Sequence, residues 1–274
     1  MAKPALRLAV SPCPNDTYLF GPLALGWVSL PFPVEFVFED IETLNRMALT
    51  DPPELIKLSF AMLPEVAHRY EVFPVGAALG RGCGPLLVAH PSVSPEEIPS
   101  LPVALPGEHT TAHLLFRLAF PEASHRVFIP YHEILPALAE GRFAAGVIIH
   151  EGRFVYARYG LKLVLDLGRW WEEKTGLPIP LGGIFVRRDL PREVGRALLS
   201  ALRRSLDLAR ERFEDLLPFI RHHARELARE VIEAHIRTYV NEYTRNLGEE
   251  GRRALVELIR RAGTSSPENL FWEA

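Results

Sequence analysis

Short apolar segments alternate with amphipathic ones through the first two thirds of the chain. The apolar segments are rich in β-branched and aromatic residues and are bounded by proline or glycine, as is typical of strands. The predicted strands are residues 6–11, 34–40, 55–59, 85–89, 102–106, 128–130, 146–150 and 183–186. Helical periodicity lies between them at residues 18–28, 41–49, 111–120 and 134–140. This alternation predicts an α/β fold.

From Pro191 onward the apolar spacing is helical only. One helix face is marked by Leu198, Leu202, Leu206 and Ala209, and a second by Leu227, Val231, His235 and Tyr239. A third helix follows Gly248 and ends at Gly263. Because this part of the chain has no predicted strands, we expect its helices to pack on the lobe that the first strands build.

A two-lobed fold accommodates both parts of the pattern. The chain would leave the first lobe at about residues 85–90 and return at about 183–188. Glycines flank both predicted crossings, Gly82 and Gly84 on the way out, and Gly182 and Gly183 on the way back. We therefore expect a discontinuous first lobe of residues 1–89 plus 189–274, an inserted second lobe of residues 90–188, a double-strand hinge and a ligand cleft between the lobes.

Composition restricts the partners. A formal net charge of −3 provides no basic field for nucleic acid. Gly26, Pro31 and Pro33 interrupt an apolar region, so we expect no membrane span. The N-terminus enters a strand pattern at once, unlike a signal peptide, and the two cysteines lie outside any CxxC motif. We expect a cytoplasmic protein that binds a small molecule, and the oligomeric state is not predicted.

His150 is the leading candidate for proton transfer. It ends the apolar run Val147–Ile149 and precedes Glu151, so a buried strand would hold its ring at the cleft. The pKa of histidine lies nearest neutral pH, which suits a general base. The other histidines are interpreted as surface or core residues, with His109 as a possible exception because of its place in the second-lobe loop.

Two strand-to-helix junctions predict an anion site. In residues 11–17 two prolines stiffen the loop, and Asn15, Asp16 or Thr17 could each cap the helix. In residues 106–112, Thr110 and Thr111 begin the helix. Helix N-termini attract anions through unpaired N–H groups and the helix dipole. If both termini face one cleft, a carboxylate-bearing ligand is expected there, bound by Thr110 and Thr111 and by Ser11, Asn15 and Asp16.

Lys57 and Ser59 lie two residues apart on a predicted strand and therefore share one face. Lys57 could pair with the ligand or with a cleft carboxylate, although lysine at such a position is usually a rim residue. The polar segment 241–244 could reach the same place or simply end a helix. The chain has no HExxH, GxGxxG, Walker A or GxSxG motif and no Cys/His cluster with metal-ligand spacing.

Several segments together resemble one family, the 1,4-dihydroxy-6-naphthoate synthases of the futalosine route to menaquinone. The segments are SPCPNDT (11–17), DIETLN (40–45), KLS (57–59), GAALGRGCGPLLV (76–88), PGEHTTA (106–112), GVIIHEGRF (146–154), LGGI (181–184) and HIRTYVNEYT (235–244). They follow one another over nearly the whole chain, and the set is specific although no single segment is. The chorismate dehydratases of the same pathway share the fold but resemble this chain less at SPCPNDT and GVIIHE.

The resemblance implies a type II periplasmic-binding-protein-like fold used as a cytoplasmic enzyme. It implies a carbon–carbon lyase that converts cyclic dehypoxanthinyl futalosine to 1,4-dihydroxy-6-naphthoate without metal or organic cofactor. The family's proposed proton acceptor corresponds to His150. The implied substrate-binding residues are Lys57, Leu58, Ser59, Thr110 and Thr111. Leu58 stands where relatives are expected to carry alanine, which matters little if this position offers only its backbone.

Three alternatives remain open at this point. The chain could be a chorismate dehydratase, which shares the fold and part of the pathway. It could be a non-enzymatic small-anion binding protein, although such receptors are exported and no export signal is expected here. Within the enzyme hypothesis, Cys13 could be a nucleophile activated by His150, because a position near a helix start can lower a thiol pKa.

Overall fold

The computed structural model describes residues 5–225, 228–265 and 267–273. The strands are β1 Leu6–Val10, β2 Val34–Phe38, β3 Leu55–Ser59, β4 Tyr70–Val72, β5 Ala78–Gly80, β6 Leu86–Ala89, β7 Val103–Leu105, β8 Arg126–Phe128, β9 Ala145–Ile148, β10 Lys162–Asp166 and β11 Ile179–Arg187. The helices are α1 Pro14–Ala24, α2 Ile41–Thr50, α3 Leu63–Val66, α4 Thr111–Ala119, α5 Tyr131–Ala139, α6 Gly152–Val155, α7 Leu167–Thr175, α8 Arg192–Glu211, α9 Phe213–His223, α10 Arg229–Tyr239, α11 Glu242–Arg245 and α12 Gly248–Arg261.

The first sheet has the strand order β2-β1-β3-β11-β4, and β5 also pairs with β11. Strand β1 is parallel to β2 and β3, whereas β11 is antiparallel to its neighbours. Helix α1 packs against α8, α9 and α10, and the buried side chains of Leu8, Phe20 and Leu202 belong to one apolar cluster. Helices α8, α9 and α10 therefore share an apolar core with α1 and β1.

The second sheet has the order β10-β6-β9-β7-β8 and is built entirely from residues 86–166. Helix α5 covers β9 through Ile134 and Leu138, which are fully buried with Ile148 and Val88. The chain thus forms two α/β units, each built around one sheet, and the second unit is inserted into the chain of the first. This confirms the α/β prediction.

The crossings between the sheets differ from the prediction. The chain leaves the first sheet between β5 and β6, and returns between β10 and β11. The expectation that Gly182 and Gly183 mark the return is wrong, because both lie inside β11 and pair with Ser59 and Leu58. A Cβ at Gly183 would lie 2.5 Å from the ring of Phe60, so close packing requires this glycine. The lobe boundaries at 89/90 and 188/189 stay a prediction.

Close packing also requires a glycine at position 84, where the chain leaves the first sheet. A Cβ on Gly84 would lie 2.2 Å from the Cα of Gly168, the second residue of α7. The two backbones therefore touch where the chain passes from one sheet to the other. A larger residue at either position would push the crossing segment away from α7.

Element ends differ from the sequence prediction in physically simple ways. Helix α1 begins at Pro14 rather than residue 18, because proline at the first helical position needs no hydrogen-bond partner for its nitrogen. It ends before Gly26, which has a φ of +73°. The short strands β4 and β5 and the edge strand β10 were not predicted. Leu227 lies outside the described residues.

Candidate active site

A cavity of about 80 Å³ lies between the two sheets. It is lined by Ser11, Asn15, Ile41, Lys57, Ser59, Ala78, Cys83, Pro85, Thr110, Thr111, Ala112, Ile149, His150, Leu181, Gly182 and Tyr239. Every predicted site residue except Asp16 and Leu58 is on this wall. The structure therefore brings together side chains from β3, two helix starts and the turn after β9.

Two helix N-termini meet at the cavity, which was the condition for the anion site expected from the sequence. Helix α4 is capped by Thr110, whose Oγ1 accepts a hydrogen bond from the N–H of His113 at 3.2 Å. The prediction that Asn15, Asp16 or Thr17 caps α1 is wrong, because Cys13 occupies that position and the three residues lie in the first turn. In α1, Pro14 has no N–H and the N–H groups of Asp16 and Thr17 donate to the carbonyl of Cys13 at 3.0 Å, so the first turn of α4 is the better candidate for binding an anion.

Asp16 organises the floor of the cavity without lining it. Its carboxylate accepts hydrogen bonds from Lys57 Nζ at 2.8 Å, Ser11 Oγ at 2.7 Å and Asn15 Nδ2 at 2.8 Å. The side chains of Lys57 and Asp16 are only 5% and 1% exposed. Lys57 also donates to the carbonyl of Gly76 at 3.2 Å. The two charges neutralise each other, and the network fixes the loop that starts α1.

Strand β3 presents Lys57 and Ser59 to the cavity and Leu58 to the core. Leu58 is fully buried in the larger apolar cluster, on the face opposite to its two neighbours. Asn45 is also buried, and it donates to Ser59 Oγ and accepts from the Ser59 N–H, both at 3.0 Å. Any contact of position 58 with a ligand would therefore use the backbone. The sequence reasoning missed Asn45, which orients Ser59.

Thr111 bridges the two parts of the structure. Its Oγ1 donates to the carbonyl of Leu181 at 2.6 Å and accepts from the N–H of Ala61 at 3.1 Å. Thr110 is used locally instead, and its hydroxyl donates to the carbonyl of Gly107 at 2.9 Å. The two adjacent threonines therefore have different structural roles. One caps α4, and the other ties α4 to β11 of the first sheet.

His150 lies in the turn that follows β9, not on the strand as predicted. Its φ of +54° is in the left-handed region, which non-glycine residues seldom adopt. Nδ1 is 3.4 Å from the sulfur of Cys13, and the ring meets Tyr131 edge-on at 4.9 Å. Nε2 is buried and has no hydrogen-bond partner among the described residues. The left-handed turn thus places a partly unsatisfied imidazole at the wall of the cavity.

Burial dominates the electrostatics of His150. It lowers the pKa of the ring from 6.5 to about 4, with smaller opposing effects of Asp16, which raises it, and Lys57, which lowers it. At neutral pH the imidazole is therefore uncharged. An uncharged imidazole can accept a proton, which is the state that a general base requires.

His235 is a second buried histidine beside the site, which the sequence treated as core. It is fully buried, its Nε2 is 2.9 Å from Asn15 Oδ1, and its ring is nearly parallel to that of His150 at 6.1 Å. Burial lowers its pKa well below 6.5. Because Asn15 donates its amide to Asp16, its oxygen faces His235, so the ring donates from Nε2. The four-residue spacing from Tyr239, which lines the cavity, was the available signal.

Two other polar candidates lie elsewhere. His109 does not line the cavity, since its Nδ1 is 2.8 Å from Glu42 on α2. Asn241 donates to the carbonyl of Leu79 at 2.9 Å, and Thr244 is hydrogen-bonded to the carbonyl of Ala77 at 3.1 Å. The segment 241–244 therefore anchors β5 rather than reaching a ligand.

The environment of Cys13 does not favour a nucleophile. Burial raises the pKa of its thiol well above 9, and the nearby carboxylate of Glu151 adds to this effect. Cys83, on the cavity wall, also has a raised pKa of about 12 because it is buried. Both cysteines are free, so each is a neutral thiol at physiological pH.

Over the described residues, no group of three or more His, Cys, Asp or Glu side chains is arranged to hold a metal ion. Within the same part of the chain, no helix is both long enough and apolar enough to cross a bilayer.

Sequence comparison adds the family. A profile described as menaquinone biosynthesis matches residues 6–264. A 1,4-dihydroxy-6-naphthoate synthase of Thermus thermophilus is 49% identical over 272 residues, covering 97% of this chain and 99% of the relative. The protein of the same name from Streptomyces coelicolor is 41% identical over 267 residues, covering 96% and 94%.

Structural comparison agrees. A crystal structure of an Archaeoglobus fulgidus protein has a TM-score of 0.89 at 37% identity, covering 94% of this chain and 97% of the other. The alkanesulfonate-binding protein of Xanthomonas axonopodis pv. citri has a TM-score of 0.70 at 12% identity with full coverage of both chains, a likeness of fold alone. The predicted periplasmic-binding-protein-like fold is confirmed. The chain belongs to the menaquinone biosynthesis family, together with the 1,4-dihydroxy-6-naphthoate synthases that it resembles along nearly its whole length.

Proposed function

We propose that the chain is a 1,4-dihydroxy-6-naphthoate synthase, a carbon–carbon lyase that acts on cyclic dehypoxanthinyl futalosine without metal or organic cofactor. The observation that carries the proposal is the buried Nε2 of His150, which has no partner among the described residues, beside a cavity where two helix N-termini converge. The names of two relatives at 49% and 41% identity support the product.

In this proposal His150 removes the acidic proton next to the ketone of the substrate. The neutral imidazole accepts the proton at Nε2, and formation of the aromatic ring drives the carbon–carbon cleavage. A positioned base of this kind contributes roughly 10²–10⁴-fold in rate. The negative charge of a bound carboxylate would raise the pKa of His150 from about 4 and strengthen the base when it is needed.

The start of α4 is the proposed carboxylate site. Ala112 and Thr111 lie in its first turn and line the cavity. First-turn N–H groups lack partners within the helix and can donate to an anion. Lys57 is neutralised by Asp16, so its role is to hold Ser11 and Asn15 in place rather than to supply free charge. Helix dipoles and hydroxyls would provide most of the attraction.

The lobes must separate for the substrate to bind. The cavity of about 80 Å³ is far below the roughly 300–1,000 Å³ of ordinary ligand pockets. Opening would break the Thr111–Leu181 hydrogen bond and the contact between Cys13 and His150. Closing again around the substrate would exclude water from the reacting atoms.

The direct test is to incubate the purified, chelator-treated protein with cyclic dehypoxanthinyl futalosine and to follow products by chromatography and mass spectrometry. We expect one molecule of 1,4-dihydroxy-6-naphthoate to form for each molecule of substrate consumed. A binding protein would return the compound unchanged. Dehydration of chorismate in a parallel incubation, without reaction of the futalosine compound, would favour the chorismate dehydratase alternative.

A further inference from the structure

The contact between Cys13 and His150 joins the two sheets at the catalytic side chain. Cys13 is the N-cap of α1, in the loop that follows the first sheet's β1, and it is 4% exposed. His150 follows β9 of the second sheet. Cys13 Sγ and His150 Nδ1 are 3.4 Å apart, within hydrogen-bond distance for sulfur.

Two proton arrangements fit this contact. In one, Nδ1–H donates to the sulfur and Nε2 keeps a lone pair. In the other, the thiol donates to Nδ1 and Nε2 carries the hydrogen. Nε2 is buried and has no partner in the described part of the chain. The second arrangement would therefore bury an unsatisfied N–H, whereas the first leaves only a lone pair of Nε2 without a partner among the described residues. The first arrangement costs less.

The sulfur is a neutral acceptor. Burial keeps the thiol protonated by raising its pKa well above 9. A carboxylate at this place would hold the imidazole in the same tautomer but would also stabilise its charged form. A thiol orients the ring without supplying charge, so the ring stays neutral until the substrate arrives.

We propose that Cys13 is a positioning residue that selects the Nδ1–H tautomer of His150, so that Nε2 is the proton-accepting atom. This rests on the proposed function, in which His150 is the base. Because the sulfur belongs to the first lobe and the imidazole to the second, the tautomer is selected only when the lobes are closed. Closure then assembles the base as well as excluding water.

The tautomer can be measured without turnover. We expect ¹⁵N-histidine NMR of the wild-type protein at pH 7.5 to show a protonated Nδ1 and an unprotonated Nε2 for the resonance that disappears in His150→Asn. Cys13→Ala should move His150 toward the Nε2–H form, and Cys13→Ser, which keeps an acceptor, should restore the wild-type pattern. Cys83→Ala removes the other buried thiol and should leave the tautomer unchanged.

Turnover gives the second readout. Cys13→Ala should lower kcat about tenfold while KM changes less than about twofold, because the ground-state contacts with substrate remain. Cys13→Ser should recover most of kcat. An Nε2–H tautomer in the wild-type protein, or an unchanged tautomer in Cys13→Ala, would overturn the proposal. If the NMR results hold but the wild-type protein forms no naphthoate, the proposed function fails and the role of Cys13 in orienting the ring stands.

Discussion

Lys57 and His150 face one cavity from opposite lobes, and their surroundings differ. Lys57 is held by Asp16 and by the carbonyl of Gly76, and Asp16 is in turn satisfied by Ser11 and Asn15. The Nδ1 atom of His150 lies within hydrogen-bond distance of a sulfur atom. Its buried Nε2 atom has no hydrogen-bond partner among the described residues. A satisfied charge pair maintains shape, whereas an unsatisfied polar atom at a cavity is available to a substrate.

The backbone conformations of Lys57 and His150 also differ. Lys57 lies in β3, which pairs with β1 on one side and β11 on the other. His150 lies in a turn with a φ of +54°, a conformation that costs a non-glycine residue roughly 1–2 kcal/mol. The first lobe therefore offers a regular support, and the second offers a strained reactive group.

The largest expected loss of stability comes from breaking the buried pair. Asp16→Asn leaves the Lys57 charge buried and uncompensated, so the free energy of unfolding should fall by about 3–5 kcal/mol. Adding Lys57→Met should recover most of it, because no charge is then buried. Urea denaturation measures both. Asp51→Asn is the control, since Asp51 pairs with Arg7 at 2.6 Å on the surface and should cost less than about 1 kcal/mol. Equal losses for the two variants would contradict the account.

The second largest effect on the free energy of unfolding is expected from acid, through protonation of His150. Its folded-state pKa of about 4 lies below the 6.5 of an exposed histidine, so the unfolded chain binds more protons between these values. Stability is therefore full above about pH 6.5 and falls as the pH drops toward 4, by about 3 kcal/mol from this residue. His150→Asn should lose correspondingly less over this window. Parallel losses in urea titrations of the two proteins would show that His150 is not the cause.

Thr111 is intermediate between Lys57 and His150. Its hydroxyl has hydrogen-bond partners, but these belong to the other lobe. Thr111→Val removes both bonds to Leu181 and Ala61 and should lower the free energy of unfolding by about 1–3 kcal/mol. It should also raise KM if closure holds the substrate. Thr111→Ser keeps the hydroxyl and deletes only a buried methyl group, so it should cost about 1 kcal/mol or less. A valine variant as stable as the serine variant would remove the bridge from the account.

The sequence was informative where local spacing determines geometry. The period of two placed Lys57 and Ser59 on one face of β3, and the junctions at 11–17 and 106–112 correctly predicted two helix starts at one cleft. It was uninformative where distant segments determine geometry. The positive φ of His150 has no side-chain signature. A contact between Cys13 and His150 was considered from the sequence as nucleophile activation, but its geometry, across 137 positions, could not be predicted. Gly182 and Gly183 looked like a hinge but serve close packing inside β11.

The central claim concerns the imidazole at position 150, and His150→Asn tests it most directly. Asparagine tolerates a positive φ better than most residues, so the turn should persist. We expect turnover of cyclic dehypoxanthinyl futalosine to fall by about 10²-fold or more, while calorimetric affinity for the compound stays within about threefold. A rate near that of the wild-type protein would contradict the account, because the cavity would then need no base at this position.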